Sequence, residues 1–221
     1  MSYRHDIFVS YKWGGDRKRW VDQIFLPILR ESLENVKGTI NRDDIFHDVS
    51  QTLSGAYLPD VLKDGVAFSK CMVCIITLPY FVNSIWCPSE FAAMLKRETV
   101  LNIRANNPNH TGLIFPIVFV DEEETTIEEQ SPVFRDVGMR NLILNISPLR
   151  LNLKYNSVSS GFKESLAYDE LRTIVLRWVR KSIYPVVSQA PSWDPDWRSD
   201  SYFIPPFSYS ASQNPMPLPT L

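Results

Sequence analysis

The sequence predicts an α/β fold, a doubly wound parallel sheet with helices on both faces. Three observations carry this. Strand-like and helix-like segments alternate along the 221 residues. The connections between strands are long, as parallel pairing requires. Two strand candidates, 71–78 (CMVCIITL) and 113–120 (LIFPIVFV), are apolar at both parities, the mark of a strand covered on both sides. Five strands joined by right-handed crossovers suit the flavodoxin-like order 2-1-3-4-5. In such a sheet a ligand sits beyond the carboxyl ends of the strands, near the switch in strand order.

The elements follow in turn. Residues 6–11 (DIFVSY) are apolar, β-branched and aromatic, and read as strand one. From Arg17 to about Val36, apolar residues recur at helical spacing, with Pro27 expected to kink or break the helix. Strand two is predicted over 43–50 (DDIFHDVS), followed by a loop over 51–59 that pivots on Gly55. A helix is expected over 58–70, then strand three over 71–78. Phe91, Ala92, Met94, Leu95, Val100 and Leu101 mark a helix running from Trp86 to about Ile103. Strand four is predicted over 113–120, strand five over 141–146 (NLILNI), and a last helix over 164–183.

From Pro185 the composition changes. The last 37 residues hold 8 of the 16 prolines and no glycine, yet carry six aromatics from Trp193 to Tyr209. We therefore divide the chain into a domain over 1–184 and a Pro/aromatic-rich tail over 185–221. So many aromatics suggest a tail that lies along the domain or docks on a partner, with a disordered end as the alternative.

Composition excludes several classes. The chain is 44% hydrophobic and 22% charged, with a net charge of −2 and a pI near 5.9. Neither nucleic acid nor an anionic membrane is an expected partner. The apolar runs are too short to span a bilayer, and MSYRHD leads directly into a strand without a signal-peptide pattern, so a cytoplasmic location is expected. Three cysteines, Cys71, Cys74 and Cys87, fit a reducing compartment. Cys71 and Cys74 form C-x-x-C on a strand, where positions three apart point to opposite faces, so small buried hydrophobes are the better reading. The three histidines, His5, His47 and His110, lie in separate segments without metal-ligand spacing, and no metal is expected.

Three loops meet at the carboxyl edge: YKWGGD, SQTLSGAY and PYFVNSIWCPSE. They offer Tyr11, Lys12, Trp13, Asp48, Thr52, Leu53, Ser54, Gly55, Ser84, Trp86 and Glu90. Aromatics for stacking, hydroxyls, a glycine for close approach and one acid suit a sugar-bearing aromatic ligand such as a nucleotide. G-x-G-x-x-G, a Walker loop and G-x-S-x-G are all missing. A phospho-acceptor receiver would want acids where strand one ends in Ser10–Tyr11 and strand three in Thr77–Leu78.

HDIFVSYKW resembles box 1 of the Toll/interleukin-1 receptor (TIR) domain. The stretch from IFHDVSQTLSGAYL to SIWCPSEFAAML is similar to that family's second strand, BB loop, second helix, third strand and third helix, in order. The likeness is specific over about 5–100, weaker over 101–183 and absent from 185 on. Its sharpest element is W-C-x-x-E, Trp86 to Glu90. In the enzymatic, prokaryotic branch the corresponding glutamate is the catalytic residue for NAD+ cleavage, so the resemblance implies that role for Glu90.

That role is chemically sufficient. Cleavage at the nicotinamide–ribose bond expels a neutral pyridine, so the second carboxylate of an ordinary glycosidase is dispensable. One carboxylate can stabilise the positive charge that develops on the ribose. Trp13 or Tyr11 would stack on an aromatic ring of the substrate, Ser84 would bond ribose or cap the helix, and Gly55 would let the BB loop swing. Asp48 is expected to tie down that loop. Each residue also has a plainer reading: Glu90 as a helix-dipole acid, Trp86 as a pocket wall, Ser10 and Tyr11 as strand-end packing.

The resemblance implies a cytoplasmic enzyme with NAD+ as substrate and no cofactor. Its products would be nicotinamide and ADP-ribose, or a cyclic or conjugated ADP-ribose signal for a separate effector in antiphage immunity. A stand-alone domain leans towards signal making. Family members commonly act on self-assembly through the BB loop, so self-association is expected. The rival readings are a non-catalytic assembly module and a related nucleoside deoxyribosyltransferase.

Overall fold

The structure, a computed structural model, describes residues 2–47, 58–77, 80–81, 84, 86–106, 112–120, 143, 145–146 and 148–204. Five strands form one sheet in the order 2-1-3-4-5, as the sequence predicts. They are β1 (His5–Tyr11), β2 (Ile45–Phe46), β3 (Ser69–Ile75), β4 (Ile114–Val120) and β5 (Leu149–Asn152), and every pairing is parallel. The central register runs from His5 opposite Ser69 to Tyr11 opposite Ile75. All seven β4 residues are buried, as a strand covered on both faces requires.

The α-helices whose bounds lie among the described residues are α1 (Gly15–Trp20), α2 (Leu26–Lys37), α3 (Leu58–Ala67), α4 (Trp86–Val100), α5 (Ile103–Asn106), α6 (Leu166–Trp178) and α7 (Tyr184–Ser188). The chain steps outward from β1 to β2, then back across to β3. Right-handed crossovers therefore place α2 on one face and α3 and α4 on the other. The packing agrees: α2 lies against α6, and α3 against α4. No helix among the described residues is long and apolar enough to cross a membrane.

Two prolines are carried by the same device. A wide, π-type turn over Val21–Phe25 precedes Pro27, and another over Val179–Ile183 precedes Pro185. In each, the residue before the proline bonds back five positions, Leu26 to Val21 and Tyr184 to Val179. The ladder thus shifts where the proline has no N–H to give. At Pro27, where a kink or a break is expected, the chain stays helical through the shifted ladder, and Pro185 does not end the last helical stretch: both sit in the first turn of the next segment.

Strand five differs from its prediction. Ile143 and Asn145 are helical, and Ile146 donates back to Ile143 at 3.3 Å. Ile143 and Ile146 are both buried because three residues bring a helical turn back to the same side. The true strand, LRLN, is an edge strand that buries Leu151 and exposes Arg150. Strand two is also shorter than predicted, because Arg42–Asp44 forms a 3-10 turn held by an Asn41–Asp44 capping box. Strand three begins two residues earlier than predicted and ends at Ile75, three residues short of the predicted end.

Beyond α7 the chain lies along the α3/α4 face as far as the structure describes it. Trp193 stacks on Phe68 with ring centroids 4.9 Å apart and donates to the Ala67 carbonyl at 3.0 Å. Trp197 is buried, and Arg198 pairs with Asp64 of α3. Beneath Trp197, the Arg97 guanidinium of α4 donates to the Ser69 carbonyl at 2.9 Å.

Candidate active site

The site is built where β1 and β3 end and α4 begins. Ser84 accepts a hydrogen bond from the Cys87 amide at 3.1 Å, so its hydroxyl satisfies one of the amides left unpaired at the start of α4. Pro88 sits in the first turn, where a missing N–H costs nothing. Glu90 follows, one turn in. Phe91 packs edge-on against Phe81, and Phe81 against Tyr80, with centroids 5.5 and 4.8 Å apart. This aromatic ladder holds the turn at Tyr80 against α4.

Glu90 is 5% exposed and its carboxylate accepts from the Ser10 hydroxyl at 2.6 Å. Ser10 in turn lies 2.6 Å from the Tyr80 hydroxyl. Burial pushes the Glu90 carboxyl up to about 7, and the Ser10 hydrogen bond pulls the other way. Burial also raises the Tyr80 phenol well above its ordinary value. The thiols of Cys87 and Cys74 are likewise raised by burial and stay neutral. All three cysteines are free and buried, and none is an activated nucleophile.

Two other buried carboxylates show what is unusual here. Asp6 accepts from Lys37 and Lys70, each at 2.6 Å. Glu98 accepts from Arg104 at 2.6 Å and from the backbone amides of Leu113 and Ile114. Glu90 has no cation on it among the described residues and one recorded hydrogen bond, from Ser10. A buried carboxylate kept without a counter-ion costs stability, and such groups concentrate at functional sites.

The expected site residues divide into three groups. Glu90, Trp86 and Ser84 share the start of α4, with Trp86 half-buried. Lys12 is half-buried, and its charge favours ionisation of the Cys87 thiol, which brings the loop after β1 towards the same spot. Trp13 is 45% exposed, with the Lys18 ammonium 5.1 Å from its ring centroid. Tyr11 is buried, and as the strand neighbour of Ser10 it points to the opposite face of the sheet. Asp48, Thr52, Leu53, Ser54 and Gly55 lie outside the described residues.

Sequence reasoning missed Ser10 and Tyr80 as partners of Glu90. Ser10 had a signal: it is the one small hydroxyl residue in a strand that is otherwise apolar and aromatic after Asp6. Two surface clefts lie elsewhere, one of about 240 Å³ between α2 and α6 around Glu31 and Arg172, the other of about 460 Å³ around Pro27 and His47. Neither contains an unpaired buried acid, so isolation of charge rather than cavity size singles out Glu90.

No protein-family model matches this chain, and no curated protein matches it. Among solved structures, the chain is similar to the TIR domains in the structure of the activated Roq1 resistosome directly recognizing the pathogen effector XopQ. That likeness is 14% in identity, covers 84% of this chain and 96% of that one, and has a TM-score of 0.39. At those values it carries no functional inference.

Proposed function

We propose that this chain is a TIR-type enzyme that cleaves the nicotinamide–ribose bond of NAD+. The observation that carries the reading is the buried Glu90 carboxylate, which meets no cation among the described residues and lies at the sheet edge within W-C-x-x-E. In its ionised form Glu90 stabilises the positive charge that develops on the ribose as neutral nicotinamide leaves. A carboxylate without a counter-ion keeps its charge available for the substrate, whereas the paired Asp6 and Glu98 do not. Water as acceptor gives ADP-ribose; an internal adenine nitrogen or ribose hydroxyl gives a cyclic product. NAD+ is a substrate here and no cofactor is required. Signalling or NAD+ depletion in prokaryotic antiphage defence is the setting that the sequence resemblance suggests.

With Glu90 5% exposed, substrate enters only after the surrounding chain moves. Self-association through the 51–59 loop would supply that movement, so turnover per monomer is expected to rise with protein concentration. The same burial favours a second reading, a non-catalytic assembly module in which Glu90 never meets a ligand. Incubation with NAD+ over a range of protein concentrations, with nicotinamide measured by chromatography, separates the two. Turnover that steepens with concentration supports the enzyme. Its absence under forced assembly supports the module.

A further inference from the structure

Ser10 has one proton and three polar neighbours: Glu90 on α4 and Tyr80 in the turn after β3, each at 2.6 Å, and the neutral Cys87 thiol, which can donate to Ser10 beside Tyr80. An ionised carboxylate can only accept, so Ser10 donates to it, and Tyr80 must then donate to Ser10. The burial that raises Tyr80 keeps it a donor at neutral pH. A protonated Glu90 still accepts from Ser10 at its carbonyl oxygen, but that bond is weaker than one donated to the carboxylate. If Glu90 instead donated to Ser10 and Ser10 to Tyr80, the phenol proton would need another acceptor, and Tyr80 is 0% exposed with Ser10 its one side-chain hydrogen-bond partner among the described residues. The chain of hydroxyls therefore has a preferred polarity, and the bond it ends in favours the charged carboxylate.

We propose that Ser10 and Tyr80 are positioning residues for Glu90, a one-directional hydrogen-bond chain from Tyr80 through Ser10 that holds the carboxylate in place and in its ionised form. This rests on the reading of Glu90 as the reacting carboxylate. The charged and titratable groups around the chain are few. Cys74 on β3 and Cys87 on α4 stay neutral, the Lys12 ammonium acts from the loop after β1, and Glu98 acts on Cys74 from two turns further along α4. None replaces the donor that Ser10 supplies.

The test follows the Glu90 carboxyl itself, by 13C NMR titration of protein labelled at the glutamate side-chain carboxyl, with the signal identified by its loss in Glu90→Gln. Ser10→Ala is expected to raise the titration midpoint by about one pH unit. The isosteric Tyr80→Phe raises it by a smaller amount, and Ser10→Thr restores the wild-type value. In the same variants the acid limb of nicotinamide release moves with the midpoint. A midpoint unchanged in both Ser10→Ala and Tyr80→Phe overturns the proposal. A shifted midpoint in the variants, with no nicotinamide released by the assembled wild type, supports the hydrogen-bond chain and overturns the NAD+ reading.

Discussion

The Trp197 indole lies over the Arg97 guanidinium, 3.9 Å from its carbon to the ring centroid. Arg97 is 1% exposed and has no carboxylate partner among the described residues; backbone carbonyls and aromatic faces carry its charge. Burial lowers its pKa to about 10. The late segment of the chain is thus part of the core on the α3/α4 face, seven residues along the same helix from Glu90.

Trp197→Ala removes that cover and leaves a cavity over a cation. Unfolding in urea is expected to show a loss of about 3 kcal/mol. Deleting residues 185–221, which also removes Trp193, should cost more and expose Phe68. A variant as stable as the wild type would show that the segment packs without contributing.

Gly112 is held by its neighbours rather than by its own backbone. A Cβ there would overlap Glu98 Oε1 and an Arg104 nitrogen. Gly112→Ala must therefore push apart the Glu98–Arg104 pair, and with it the carboxylate that ties α4 to the Leu113 and Ile114 amides at the start of β4. A loss of about 3 kcal/mol is expected, in the range for breaking a buried ion pair. Glu98→Gln should lose a similar amount, and the double variant less than the sum, because both act on one contact.

Glu90 makes stability depend on pH in an unusual direction. Its folded value, about 7, lies above the ordinary 4.5, so the native state binds more protons than the unfolded chain between those values. Stability is fully present below about pH 4.5, falls as pH rises towards 7, and is flat above that. The cost at pH 8 is about 3 kcal/mol at 1.4 kcal/mol per unit. Glu90→Gln is therefore expected to gain about that much at pH 8 and little at pH 5, read from urea unfolding at both. Equal stabilities at pH 8 would mean that Glu90 is not a desolvated acid.

The sheet order and the edge that carries Glu90 were legible in the sequence because both rest on simple signals. Doubly apolar strands at 71–78 and 113–120 demand cover on both faces, and one acid stands out beside them. What was not legible depends on distant partners. The strand at 149–152 fully buries only Leu151 and half-buries Leu149, too little to outweigh the apolar NLILNI before it. How the helix passes Pro27 and Pro185 was not legible, because the wide turns that absorb them have no composition of their own. Ser10 and Tyr80 are 70 positions apart, and only the β1/β3 pairing brings them to Glu90.

The most direct test is nicotinamide release from NAD+ at pH 8 by assembled wild-type protein and by Glu90→Gln, with circular dichroism confirming that both are folded. The account predicts turnover in the wild type, an acid limb with a midpoint near 7, and a loss of about 1,000-fold or more in the variant. A folded Glu90→Gln that releases nicotinamide at the wild-type rate would contradict it.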